Sequence, residues 1–270
     1  MPTWFCKTCA AEYPASATPP SVCPICEDER QWVPAEGQQW LSADDLANHH
    51  HNDIRELEPG LFGIGVAPAF AIGQISFFIP GKNGGVLWDG IPLLDEETVD
   101  WLKAQGGVRA MVMSHPHLYG ALATNSEKLG DCPVYLPAAD RQWLQHPSPN
   151  VRYFEADHLD LGEGISVHVT GGHFDGSSFL HWPGGANGKG VLLTGDTIFV
   201  AQDRKHVSFL YSTPNRVPLG LNAVRRIVAK TEPLQYDRIY SSWWGSLIGA
   251  DAKSAVARSE ARWKRLLTAA

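Results

Sequence analysis

Two sets of side chains in this sequence have the types and spacing of metal ligands. The first is Cys6-x-x-Cys9 followed by Cys23-x-x-Cys26. Each pair sits on a tight turn, so two sulfurs can face one centre, and four thiolates complete a tetrahedron with no open position. A closed shell points to a structural metal. The second set is dispersed: His115-x-His117, then His173 behind Gly171-Gly172, then Asp196 behind Gly195. Each lies just past a hydrophobic run, where side chains from separate strands can converge at one sheet edge. The glycines permit a sharp backbone exit that turns the side chain inward. Three imidazoles and one carboxylate suit zinc, iron or manganese.

Trp4-Phe5-Cys6-Lys7-Thr8-Cys9, with Tyr13-Pro14 and Cys23-Pro24-Ile25-Cys26, resembles both zinc ribbons and rubredoxin-like modules. Rubredoxin-type knuckles place glycine after the second cysteine of each pair, and here Ala10 and Glu27 stand there. Zinc is therefore expected at this four-cysteine site, with iron the alternative. Cys132, alone before Pro133, reads as a small core residue.

The dispersed set resembles the metallo-β-lactamase superfamily over residues 60 to 268. Val86-Leu87-Trp88-Asp89-Gly90 is similar to the family's strand ending in Asp-x-Gly, and Ser114-His115-Pro116-His117-Leu118-Tyr119-Gly120 stands where the family has H-x-H-x-D-H. Gly172-His173 and Thr194-Gly195-Asp196-Thr197 match the next two ligand motifs. The resemblance implies an α/β fold, the αβ/βα four-layer sandwich, here preceded by a small zinc-ribbon domain. It implies His115, His117, His173 and Asp196 as active-site ligands. Tyr119 and Gly120 occupy the places of the loop's aspartate and third histidine, and Trp244 or Trp243 that of the last histidine. Three second-metal ligands are thus missing, and one metal is expected, zinc or alternatively iron.

Such a site keeps an open position, with Asp196 either ligating the metal or orienting a water as a catalytic group. Tyr119 is a poor base at an ordinary pKa of about 10. It could donate to an anionic intermediate as a second catalytic residue, or simply fill the vacated volume. Trp243, Trp244, Phe209, Tyr211 and His206 are candidates for binding substrate. The expected function is a metal-dependent hydrolase acting on an ester, thioester, lactone or amide. The alternatives are a mononuclear iron oxidoreductase resembling persulfide dioxygenases, or a non-catalytic descendant that binds a ligand.

The elements that must position these groups are strands and helices in two successive halves, which suits paired sheets with helices outside. Short apolar runs read as strands at Leu61–Val66, Ala71–Pro80, Val86–Trp88, Arg109–Met113, Ile165–Thr170 and Val191–Thr194. Leu118–Leu129 and Pro137–Leu144 read as helices. Residues 1–35 form the four-cysteine domain, too poor in aliphatics to fold unaided. Residues 36–60 read as a linker with a short helix, and 61–270 as the main domain. Net charge is −7 with no cluster of Lys or Arg, which argues against nucleic acid and leaves a small molecule as the expected partner. No apolar run approaches the ~20 residues of a membrane span, and the N-terminus lacks a signal-peptide pattern. A cytoplasmic location is expected, where thiols stay reduced. Assembly into an oligomer is compatible with this reading.

Overall fold

The strands at the centre of the first sheet are short apolar runs flanked by turn residues, such as Ser76–Ile79 and Gly85–Trp88, buried at every position. Burial on both faces needs no alternation, because no face meets water. The computed structural model describes residues 1–268, so the last two residues of the expected 61–270 domain lie outside it. The chain divides into two compact units, Met1–Phe154 and Glu155–Ala270.

The first unit holds a seven-stranded sheet. In spatial order its strands are Val151–Phe154, Val134–Pro137, Val108–Val112, Gly85–Trp88, Ser76–Ile79, Leu61–Ala67 and His51–Glu58. The first four run parallel and the remaining neighbours antiparallel. The helix Glu96–Ala104 starts where the Asp95 side chain accepts the Thr98 N–H at 2.8 Å, an N-cap that satisfies one orphan donor. The same unit contains the cysteine knuckle, a three-stranded antiparallel sheet of Glu12–Tyr13, Trp4–Cys6 and Trp40–Ser42.

The second unit holds a six-stranded sheet ordered His158–Gly162, Ile165–Val169, Ser178–Trp182, Val191–Leu193, Arg238–Tyr240 and Leu247–Ile248. The helices Leu221–Thr231 and Ala252–Thr268 lay Val224, Ile227, Ala255 and Val256 into a core shared with Phe179, Leu192 and Ile239.

Three local expectations are corrected. The stretch read as linker supplies a strand to the knuckle, the helix Ala43–His49, and the edge strand His51–Glu58 of the large sheet. That strand is polar, but an edge strand gains its ladder hydrogen bonds whatever its side chains. The helix expected over Leu118–Leu129 is a 3-10 turn, Pro116–Leu118, followed by a helix only at Leu122–Lys128. Gly120 lies between them at φ +52°, a left-handed conformation that ends one element before the next begins. Pro137–Leu144 is likewise a 3-10 turn over Ala138–Trp143.

Candidate metal centres

The four knuckle thiols are buried, and none is in a disulfide. Cys6 and Cys26 Sγ lie 3.5 Å apart and Cys9 and Cys23 Sγ 3.7 Å apart. Sulfurs around a tetrahedral zinc at 2.3 Å are separated by about 3.8 Å, so the donor set fits such an ion. The chain wraps the sulfurs with donors: Thr8 N–H and the Gln38 amide approach Cys6 Sγ at 3.4 and 3.1 Å. The four thiols perturb one another: hydrogen bonds from Cys23, Cys26 and Cys9 hold Cys6 far below the ordinary thiol range, while Cys9 and Cys26 are pushed up, Cys23 being the foremost cause for both. Ala10 turns the chain at φ +66° and donates its N–H to Cys6 O at 2.9 Å.

The loop carrying His115 and His117 is fixed by the end of a neighbouring strand. Asp89, fully buried at φ +66°, accepts the Ser114 N–H on Oδ1 at 2.7 Å. Ser114 Oγ in turn lies 2.9 Å from His115 Nδ1, which leaves Nε2 as the atom that ring could offer to a metal. The two imidazoles stand edge to face with centroids 5.4 Å apart. Close backbone packing holds the loop: Gly90 N–H donates to Leu118 O at 2.8 Å, and a Cβ on Gly90 would come within 2.1 Å of Tyr119 O.

His173 leaves the strand Ile165–Val169 through Gly171 and Gly172, at φ +65° and +99°. Its Nδ1 lies 2.6 Å from Tyr211 O. A carbonyl only accepts, so the proton sits on Nδ1 and the Nε2 lone pair is presented. Asp196 is held on the turn after Val191–Leu193, where Thr194 Oγ1 donates to Ile198 O at 2.7 Å and Gly195 adopts φ +52°. Thr213 Oγ1 donates to Asp196 Oδ2 at 3.0 Å.

His115 and His117 of the first unit and His173 and Asp196 of the second are all buried, and by type they are a set that could hold a metal ion. His173 Nε2 and Asp196 Oδ2 are 3.8 Å apart. Ligands about 2.1 Å from one cation stand roughly 3–4 Å from each other, and the His173–Asp196 spacing within the second unit falls in that range. Borderline nitrogen and oxygen donors suit a first-row divalent ion, which would act as a Lewis acid.

The remaining expected site residues separate. Trp243 and Trp244 line a cavity of about 300 Å³ with Phe199, Arg204 and Thr213, and Thr213 is the residue bonded to Asp196. Tyr211 serves through its carbonyl, while its side chain packs on the core of the second unit. Phe209 is corrected: it is fully buried in that core, edge-on to Trp263, because an aromatic between two short strands gains most by complete burial. His206 is corrected too, since its Nδ1 pairs with Asp203 at 2.7 Å in a local turn. Tyr119 packs among Ile91, Leu122 and Leu136 and points its hydroxyl at Asp140 O, 3.5 Å away. Burial, reinforced by the Asp140 charge, pushes its pKa well above 10. The expected catalytic Tyr119 is thereby corrected to a core residue. Ser114, Thr213 and the Tyr211 carbonyl were not among the expected groups, and only a folded chain brings them to the ligands.

No family model matches the chain. It is 38% identical over 269 residues to YmaE, an uncharacterized protein of Bacillus subtilis strain 168, covering 99% of this chain and 97% of YmaE. The chain belongs to the YmaE family. Solved structures similar to this YmaE-family chain are metallo-β-lactamases. DIM-1 metallo-β-lactamase matches at TM-score 0.58 and 12% identity, over 80% of this chain and 98% of that one. VMB-1 matches at TM-score 0.59 and 14% identity over the same shares. A metallo-β-lactamase of Cronobacter sakazakii matches at TM-score 0.53 and 18% identity, over 82% and 94%. These likenesses are of fold, and the chain has the metallo-β-lactamase fold behind its four-cysteine zinc-ribbon module.

Proposed function

We propose that the protein is a zinc-dependent hydrolase whose mononuclear centre is His115, His117, His173 and Asp196, acting on an ester, thioester, lactone or amide. The observation that carries this is the donor set itself, two buried imidazoles in the first unit and a buried imidazole and carboxylate in the second, which by type could hold one metal ion. A zinc bound there supplies Lewis acidity and a water whose pKa falls to about 7.

The chain's own residues supply the order around that chemistry. Ser114 and the Tyr211 carbonyl lock the His115 and His173 rings by their Nδ1 atoms, so each presents Nε2 without searching among rotamers. Thr213 fixes one oxygen of Asp196, whose carboxylate has further lone pairs with which to bind the metal or orient a water proton. Trp243, Trp244 and Phe199 give the adjoining cavity aromatic walls suited to the organic part of a small substrate. The knuckle holds a structural zinc in this reading, and the protein works in the cytosol, where its thiols stay reduced. No helix among the described residues is long and apolar enough to cross a membrane.

The test is elemental analysis together with turnover of chromogenic esters, thioesters and lactones. Two zinc ions per chain and hydrolysis that vanishes in His115→Ala are expected. Full turnover in His115→Ala would end the proposal.

A further inference from the structure

Glu12 is a carboxylate in an apolar setting, between Ala10-Ala11 and Tyr13, and it is only 3% exposed. A buried carboxylate is costly unless several donors reach it. Those donors come from outside the knuckle. Ala123 and Thr124 N–H donate to Glu12 Oε2 at 3.2 and 3.3 Å, and Thr124 Oγ1 donates to Oε1. His146 Nδ1 stands 3.2 Å from Oε1, and the Glu12 N–H donates to Gly120 O at 3.3 Å.

Ala123 and Thr124 are in the first turn of the helix Leu122–Lys128, preceded by Ala121, which has no side chain able to cap it. The orphan amides of that turn are satisfied by Glu12 instead, a capping interaction made across more than a hundred residues. The segment ending at this turn is the ligand loop. Asp89 holds its front at Ser114, and Glu12 holds its rear at Gly120 and the helix start, with His115 and His117 between. Apolar packing follows the same line, since Phe5 and Ala10 of the knuckle share one core cluster with Ala121.

Glu12 is itself placed by the cysteine turn. Cys6 N–H donates to Ala11 O at 3.0 Å, and the strand Glu12–Tyr13 pairs with Trp4–Cys6. We infer that Glu12 is a positioning residue that transmits the folded state of the four-cysteine knuckle to the loop bearing His115 and His117, so that metal affinity at the histidine/aspartate centre depends on the knuckle. The inference rests on the reading above that this centre binds a metal.

The experiment is metal competition on the full-length protein, read with a chromophoric chelator for zinc and by absorption after cobalt(II) substitution. Thiolate-to-metal bands report the knuckle, and the weaker visible bands of nitrogen and oxygen ligation report the other centre. Glu12→Ala is expected to keep the knuckle metal while the second centre weakens by about 10-fold or more, the usual effect of losing an orienting partner. Glu12→Gln retains an acceptor oxygen for both amides and is expected within about 3-fold of wild type, since the hydrogen bonds survive. Val99→Ala, in the core of the same unit, serves as the destabilised control and is expected to leave the affinity unchanged. Should Glu12→Ala fail to fold, Glu12→Asp draws the carboxylate back by one methylene and is expected to weaken the centre in the same direction. Wild-type affinity in Glu12→Ala, or in Glu12→Asp where Glu12→Ala does not fold, or an equal loss in Val99→Ala, overturns the inference. Metal content that is the same in His115→Ala as in the wild type would instead overturn the underlying reading, and this inference with it.

Discussion

The Asp89 carboxylate accepts the backbone N–H of Ser114 at 2.7 Å, tying the residue before His115 to the end of the strand Gly85–Trp88. The acceptor is fully buried and sits at φ +66°, a conformation that aspartate and asparagine tolerate better than alanine. Asp89→Ala leaves a buried amide without this partner and is expected to cost about 1.5–3 kcal/mol. Asp89→Asn keeps an acceptor and the backbone preference, so it is expected to recover most of that stability. Urea unfolding of the two variants decides the matter, and equal loss in both would show that charge, not hydrogen-bond geometry, holds the loop.

A different kind of constraint acts at Gly90 and Gly120. A Cβ on Gly120 would lie 2.6 Å from the Ile91 carbonyl carbon, at a residue already in the left-handed region at φ +52°. Backbone cannot retreat as a flexible side chain can, so Gly120→Ala is expected to destabilise by about 3 kcal/mol or more. Gly107→Ala is the control: it also has positive φ (+80°) but nothing within 4 Å of its Cβ, so only the conformational part should be lost. Matching melting temperatures for the two variants would refute the steric argument.

Both candidate metal-binding sets can be picked out in the sequence because their chemistry is local in character even where the residues are distant. The cysteine spacing is complete in itself. His173 and Asp196 each follow an apolar strand and a glycine, so their convergence could be inferred from the strand ends. What escaped was whatever depends on tertiary partners. Glu12 looks like any surface acid until the helix Leu122–Lys128 is found to lack its own cap. The strand His51–Glu58 carries no apolar alternation, since its pairing runs through backbone groups that every sequence possesses. Phe209 and Trp243 have the same affinity for burial, and only packing sends the first to the core and the second to a cavity wall.

The knuckle yields a prediction about stability. Without a metal, four thiols face one another at spacings such as 3.5 and 3.7 Å with no cation to balance them. A ligand present at a thousand times its dissociation constant stabilises by about 4 kcal/mol, so stripping it should lower the melting temperature by about 8–16 °C in a unit of this size. Cys23→Ser should show a similar loss and respond little to added chelator. Calorimetry with and without chelator measures both, and an unchanged wild-type transition would mean that the cysteines do not hold a structural metal.

His168 sets a pH dependence in the second unit. Its ring stacks on Phe179 at 5.1 Å, and its Nε2 lies 2.9 Å from Ser166 Oγ. Burial first, then the neighbouring His158, His181 and Lys230, push its pKa down to about 4. An unfolded chain gives histidine a pKa of about 6.5, so between about 6.5 and 4 the unfolded state binds more protons. The stabilisation is complete above the upper value and is lost as pH falls towards the lower one. His181 is shifted the same way by burial, so part of the slope belongs to it. His168→Gln removes one titrating group and is expected to flatten, without abolishing, the decline in unfolding free energy over that interval. Chemical denaturation at several pH values measures the difference, and parallel curves for wild type and variant would show that His168 does not contribute.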